Sequence, residues 1–316
     1  MAIGYFLSCE EHGPVELVRQ AKLAEKAGFE KLWISDHYHP WISEQGQSPF
    51  VWSVIGAISS VCRLPIATAV TCPTVRMHPA VVAHAAATAS VQTEGRFVLG
   101  IGSGEALNEH ILGDPWPAVD ERLDMLEESV EVMRALWSGD NVNHEGEHYK
   151  VVNARLYTVP EKPTPVYVSA FGTKAAQLAG RIGDGLITMM PDAGIVEEFR
   201  SAGGAGKPVQ VGYKVCFGAD EAAARATAHR LWASEQLPGE LGQTLPQPRH
   251  FEQATQLVTE DAVAGSVVCG PDLGRHVDEM RRHLDAGFDD VYVSQMGSDA
   301  DAFFQAYSEH VLPKVR

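Results

Sequence analysis

Positive charge is scarce in this 316-residue chain: 25 lysines and arginines face 41 aspartates and glutamates, a formal net charge of −16. Such a surface repels phosphate backbones and anionic headgroups, which argues against nonspecific binding to nucleic acid or to an acidic membrane. An anionic ligand must therefore find a local donor site. Long hydrophobic runs are also missing. The longest largely apolar stretch, Phe50 to Cys62, is too short to cross a bilayer. The opening MAIGYFLSCEEHG sets no basic stretch ahead of an apolar one, so no secretion signal is expected. Cysteine is sparse and odd in number: Cys9, Cys62, Cys72, Cys216 and Cys269, with no CxxC pair. That usage suits a reducing cytoplasm and argues against a disulfide framework or a zinc cluster.

What is present is a rhythm. Short, nearly continuous apolar runs alternate with helical patterns, and they predict strands at Ile3–Ser8, Lys31–Ser35, Ile66–Thr71, Phe97–Gly102, Pro165–Ala170, Gly185–Met189, Val209–Phe217 and Asp290–Ser294. Runs of this kind belong to strands buried on both faces of a parallel sheet. Between the first two, Leu17, Ala21, Ala24 and Gly28 share one helix face, with Pro14 in its first turn. A second amphipathic helix is expected from about Val119 to Trp137. Eight strands in a βα order predict an α/β fold, a (β/α)₈ TIM barrel forming one domain over residues 1–316. A doubly wound sheet is the alternative. Two excursions interrupt the rhythm: a small hairpin at about 139–164, and a Pro- and Gln-rich loop or short lid at about 237–257.

In a parallel barrel the chemistry gathers where the strands end. Those ends bring Glu10, Asp36, His37 and Glu105 to one mouth. The segment WISDHYHPW sets His37 and His39 in a His-x-His spacing known from metal-dependent hydrolases. The ends of strands five, six and eight read SAFGT, ITMMP and VSQMG. They supply no further histidine, and two ligands are too few, so no metal is expected. The GIGSGEALNE stretch has GxGxG spacing, which fits a tight mouth loop presenting Glu105 and Asn108 better than a dinucleotide fingerprint. A plain helix cap is the blander role for Glu105. Where SAFGTKAAQLAGR begins a helix, the free backbone N–H groups near Gly172 and Thr173 form either an ordinary βα turn or a phosphate cradle that needs no net positive charge.

These stretches carry a resemblance. SDHYHPW, TAVTCPTVRMHPAVVAHAAAT, RFVLGIGSGEALNE and AGRIGDG resemble the luciferase-like deazaflavin oxidoreductases over essentially the whole chain, above all the branch of coenzyme F420-dependent glucose-6-phosphate dehydrogenases. The resemblance implies a bacterial luciferase-like barrel, coenzyme F420 at the strand ends, and a homodimer. It assigns His37 as active-site base, Glu105 as the acid serving the coenzyme's N1, Trp41 as a pocket wall and Glu10 as an acid facing it. Asp36, Cys72, Ser103, Gly104, Asn108, Phe171, Gly172, Lys174 and Ala175 fall on coenzyme-contacting positions, and Ala69–Val70 where the family has a non-proline cis peptide behind the ring. Cys72 and Phe171 depart from the Thr and Gly familiar there.

A larger departure concerns the substrate. Where the family's sugar-phosphate enzymes hold phosphate with two lysines and an arginine, the matching positions here are Asp192, about Gly242, and Ser266, with no base nearby to replace them. Met189, Asp192 and Ser266 are thus candidate pocket residues for a small-molecule substrate other than glucose 6-phosphate. The expectation is hydride transfer between an alcohol or carbonyl and the deazaflavin, by a cytoplasmic protein. A flavin-mononucleotide monooxygenase on the same barrel and a non-catalytic coenzyme-binding barrel are the rival readings.

Overall fold

The computed structural model describes all 316 residues. Eight strands, Ala2–Leu7, Lys31–Ile34, Ile66–Thr68, Phe97–Ile101, Val166–Ser169, Gly185–Thr188, Val209–Cys216 and Asp290–Gln295, run parallel, each paired to the next. The eighth also pairs with the first, Ala2 opposite Asp290 and Tyr5 opposite Val293, so the sheet closes into a barrel. Every predicted strand is present. Strand three is shorter than expected: after Thr68 the chain passes through a cis Ala69–Val70 bond and regains the sheet only at Thr71, opposite Ile101.

The helices follow from the sequence pattern. Pro14 opens the helix Pro14–Ala27, whose face of Leu17, Ala21 and Ala24 is buried. Gly28 closes it at φ 96°, a left-handed conformation glycine adopts without steric cost. The apolar run beginning at Phe50 forms the helix Val51–Ser59 and buries Val51, Val54, Ile55 and Ile58. No helix is long and apolar enough to cross a membrane.

The barrel is filled rather than open. Trp33 stacks on Tyr292 with ring centroids 4.0 Å apart, and Phe6 meets Trp33 edge-on. Trp33 Nε1 donates to Gln210 at 3.1 Å, Gln210 Nε2 donates to Asp290, and Lys31 Nζ binds the same Asp290 carboxylate at 2.6 Å. This chain satisfies the polar groups buried between the strands and closes the N-terminal end of the barrel.

The first excursion is the expected hairpin, Val142–Glu145 against Lys150–Ala154. It is pinned by Glu128, which accepts from the backbone of His148 and Tyr149, and by Tyr149 Oη, which donates to the Thr74 carbonyl. The second differs from expectation. Residues 237–257 hold helical turns, Leu241–Thr244, Pro248–Ala254 and Thr255–Leu257, instead of an irregular loop. Pro248 stands at a helix start, where its missing N–H costs nothing, and Phe251 is fully buried against Ile42 and Leu107. That burial holds helical turns too short to persist alone.

Candidate active site at the barrel mouth

Strand one hands the chain to Glu10, which is buried. Its Oε2 accepts from Ser8 Oγ and Ser35 Oγ, both at 2.8 Å, while Oε1 lies 3.5 Å from His37 Nε2. Burial pushes this carboxyl upward, but the pull of His37 and the hydrogen bonds to the charged form outweigh it, and the pKa ends below the ordinary carboxylate value. Glu10 is therefore an anion. His37 Nδ1 is 3.2 Å from the His39 carbonyl oxygen. A carbonyl only accepts, so Nδ1 carries a proton and Nε2, beside the Glu10 carboxylate, is the end that can exchange one. Trp41 packs 5.0 Å from the His37 ring and is itself held edge-on by Phe251 at 5.2 Å. His39 is turned elsewhere, its Nδ1 donating to the Leu107 carbonyl at 2.9 Å. The two histidines do not converge, and no group of three potential metal-ligating side chains forms anywhere in the fold.

The loop carrying His37 is tied to the loop carrying Glu105. Asn108 Oδ1 accepts from the backbone N–H of Tyr38 at 2.9 Å and of His39 at 3.1 Å, and its Nδ2 reaches Glu105 Oε2 at 3.4 Å. Beside it Asp36 accepts from Thr71 Oγ1 at 2.7 Å and from Arg76 at 3.1 Å. Arg76 also meets Glu109, through Nε at 3.4 Å and its own backbone N–H at 2.7 Å. All three side chains are buried. One guanidinium thus serves two buried carboxylates. Burial raises Glu109 to about 7 against the opposing pull of Arg76. Arg76 and Glu109 are functional supports that sequence reading missed. The one signal available was an arginine inside the otherwise apolar TCPTVRMHPAVV.

The glycines of GIGSGE are required by close contacts. A Cβ on Gly100 would lie 1.9 Å from the Thr68 carbonyl oxygen, and one on Gly102 2.8 Å from a Val70 methyl. Gly104 has φ +78°, and its Cβ would meet Cys72 Sγ at 2.6 Å. Ser103 and Gly104 are braced from behind by buried Arg122, which donates to their carbonyls at 3.4 and 3.1 Å. Burial lowers the pKa of this guanidinium. The Cys72 thiol, next to Thr74 Oγ1, is pushed well up by burial. Ala69 and Val70 join Phe6, Trp33 and Met189 in the apolar filling of the barrel.

The far side of the mouth is open. Phe171 is 49% exposed. Gly172 starts the helix Thr173–Ile182 with no side-chain cap, and a Cβ there would meet nothing within 4 Å. An uncapped helix start with open space before it can accept an anion such as a phosphate. Lys174 is exposed and pairs with Asp120 at 2.6 Å, and Ala175 is half-buried. Asp192 is exposed and caps its own helix, Ala193–Phe199, by accepting from the Gly194 N–H at 2.7 Å. Ser266 is exposed and its hydroxyl accepts from Gln236 Nε2. Lys214, which the sequence reading did not single out, projects inward from strand seven, where β-alternation places it after Gln210 and Gly212. It was hidden because a lone lysine in a strand reads as a solvent-facing residue.

The comparisons with known proteins agree with this fold. A family model described as luciferase-like monooxygenase matches residues 1–290. An F420-dependent glucose-6-phosphate dehydrogenase of Amycolatopsis mediterranei is 36% identical over 330 residues, covering 100% of this chain and 99% of that protein. Its counterpart in Microbacterium testaceum is 34% identical over 100% of this chain and 98% of its own length. Among solved structures, an F420-dependent secondary alcohol dehydrogenase in complex with an F420-acetone adduct superposes with a TM-score of 0.91 at 32% identity, covering 100% of this chain and 99% of that one.

Proposed function

The chain belongs to the luciferase-like family, in its F420-dependent branch, and from that premise we propose that it is an oxidoreductase exchanging a hydride between coenzyme F420 and a small alcohol or its carbonyl. The observation that carries the reading is the buried Glu10–His37 pair beside Trp41 at the strand ends. When bound, the deazaflavin supplies the two-electron acceptor.

The chain's own residues supply the proton chemistry and the binding. His37 Nε2 takes the hydroxyl proton of the alcohol, or returns it to the carbonyl oxygen in reverse. Glu10, held as an anion, stabilises the positive charge that proton uptake places on the ring. The His39 carbonyl keeps Nδ1 as donor and so fixes the ring's orientation. Glu105, held by Asn108, would serve charge developing on the coenzyme. Trp41 walls the pocket and is held from behind by the buried Phe251. The residues from Ala69 to Cys72, Ser103 and Gly104, and Phe171 to Ala175 form the coenzyme surface.

An uncharged substrate is favoured over a sugar phosphate because Asp192 and Ser266 offer no positive charge where the sugar-phosphate enzymes have bases. Titration with F420 and with flavin mononucleotide, followed by deazaflavin fluorescence, tests the assignment. Binding of F420 in the micromolar range, about −8 kcal/mol, is expected, and preference for flavin mononucleotide would overturn it. Glucose 6-phosphate assayed beside simple secondary alcohols tests the substrate class. We further read residues 1–316 as one domain acting as a homodimer in the cytoplasm. The five buried, unpaired cysteines and the closure of the first strand on the last support this reading.

A further inference from the structure

Lys214 is the buried cation of the mouth that neither the proton chemistry nor the coenzyme surface uses. Its side chain is 8% exposed. Strand seven sends Gln210, Gly212 and Lys214 inward in turn. Gln210 takes the Trp33 N–H, and Gly212 lies against Trp33 and Met189, so Lys214 stands on the next layer toward the mouth. Its Nζ lies 4.1 Å from the Trp232 ring centroid and 5.9 Å from that of Phe6. Trp232 belongs to the cluster on which Trp41 packs, so Lys214 and Trp41 flank the same aromatic group.

Aromatic faces stabilise a cation only in part, and a buried ammonium needs an anion. Lys214 has a single polar partner, the carboxylate of Glu235. Glu235 comes from the turn Ala233–Gln236 at the outer side, with its side chain 35% exposed, and it makes no other hydrogen bond. Glu11 is the other carboxylate nearby, but its two oxygens are taken by Trp232 Nε1 at 2.6 Å and the Gly297 N–H at 2.7 Å.

We propose that Lys214 is the anion-recognising group of the substrate pocket and that Glu235, by occupying it, holds the pocket selective for uncharged substrates. The inference rests on the functional reading above and adds the residue pair that sets substrate charge. Removing the Glu235 carboxylate leaves a desolvated ammonium facing the pocket, which a small carboxylate then occupies. In the presence of Glu235 the same carboxylate must displace a tethered competitor and leave a second anion nearby.

The test uses the whole chain without coenzyme, so that it stands apart from the F420 titration. Lactate is titrated into wild type, Glu235→Gln and Glu235→Gln/Lys214→Met, with tryptophan fluorescence as the readout because Trp232 covers Lys214. Glu235→Gln is expected to give a saturable change with an affinity at least about tenfold tighter than wild type, the order expected of one charge-assisted hydrogen bond. The double variant is expected to lose it. With coenzyme present, Glu235→Gln should raise kcat/KM for the hydroxy acid relative to propan-2-ol by a similar factor. No gain in lactate binding by Glu235→Gln, or a gain that survives Lys214→Met, overturns the proposal. A failure of F420 to bind overturns the functional reading alone, because the fluorescence titration does not depend on it.

Discussion

The two halves of the barrel mouth are built differently. On the side of strands one to four, Glu10 pairs with His37, Arg76 joins Asp36 to Glu109, Asn108 holds the backbone of the His37 loop, and all are mostly buried. Across from them, after strand five, Phe171, Gly172 and Lys174 are exposed, and the helix that starts there has no side-chain cap. The first half is organised before any ligand arrives. The second leaves a helix start without a side-chain cap. Proton transfer depends on orientation to fractions of an ångström, whereas a phosphate cradle needs only unpaired N–H groups and room.

Substitutions in each half should fail in different currencies. His37→Ala is expected to lower alcohol turnover about 10²–10⁴-fold while leaving F420 affinity nearly unchanged, and His39→Ala to spare the chemical step. Steady-state kinetics beside a fluorescence titration check this, and parallel losses in both measurements would dissolve the distinction between the halves. Arg76→Met leaves Asp36 and Glu109 buried without their counter-charge, which should cost about 3–5 kcal/mol of stability in a denaturant melt and loosen the His37 loop as well. Gly172→Val acts on the open side. Its φ of −154° suits any residue and its Cβ meets nothing, so stability should stay within about 0.5 kcal/mol while F420 affinity drops about tenfold, or 1.4 kcal/mol. A loss of stability there would show that the cradle is packed after all.

The last test concerns pH. Glu109 keeps its proton to about 7 in the fold, against 4.5 for a glutamate free in water. Between those values the folded state binds more protons than the unfolded one, so this group's contribution to stability falls as pH rises. Wild type should therefore lose stability relative to Glu109→Gln between pH 5 and 8, by up to about 3 kcal/mol. Melts of both proteins across that range measure the slope, and parallel profiles would remove Glu109 as the source.

How far each feature could be read from the chain depends on what determines it. The eight strands were legible because a strand buried on both faces writes its burial into consecutive residues, as in Phe97–Ile101. The Glu10, His37 and Glu105 set was legible because barrel topology alone sends strand ends to one mouth. Arg76, Arg122 and Lys214 were not, since nothing in their neighbours along the chain says that a charged side chain will be buried; partners distant in sequence decide that. The helical turns of 237–257 escaped for a related reason. They are too short to show a period, and Phe251 orders them only once Ile42 and Leu107 are in place. Asp192 could have been read better, because an aspartate before Ala-Gly-Ile-Val-Glu-Glu is a helix cap by composition.

The contact of Gly100 with the Thr68 carbonyl has a consequence for how this protein can vary. Thr68 Oγ1 donates to the Gly100 carbonyl at 2.8 Å and accepts the Gly100 N–H at 3.0 Å, so strands three and four meet there with a hydroxyl as the spacer and a hydrogen atom as the gap. Any side chain at 100 would have to part the two strands directly behind the Ala69–Val70 surface. Libraries that aim to vary this protein should leave this seam fixed and place their diversity at exposed positions.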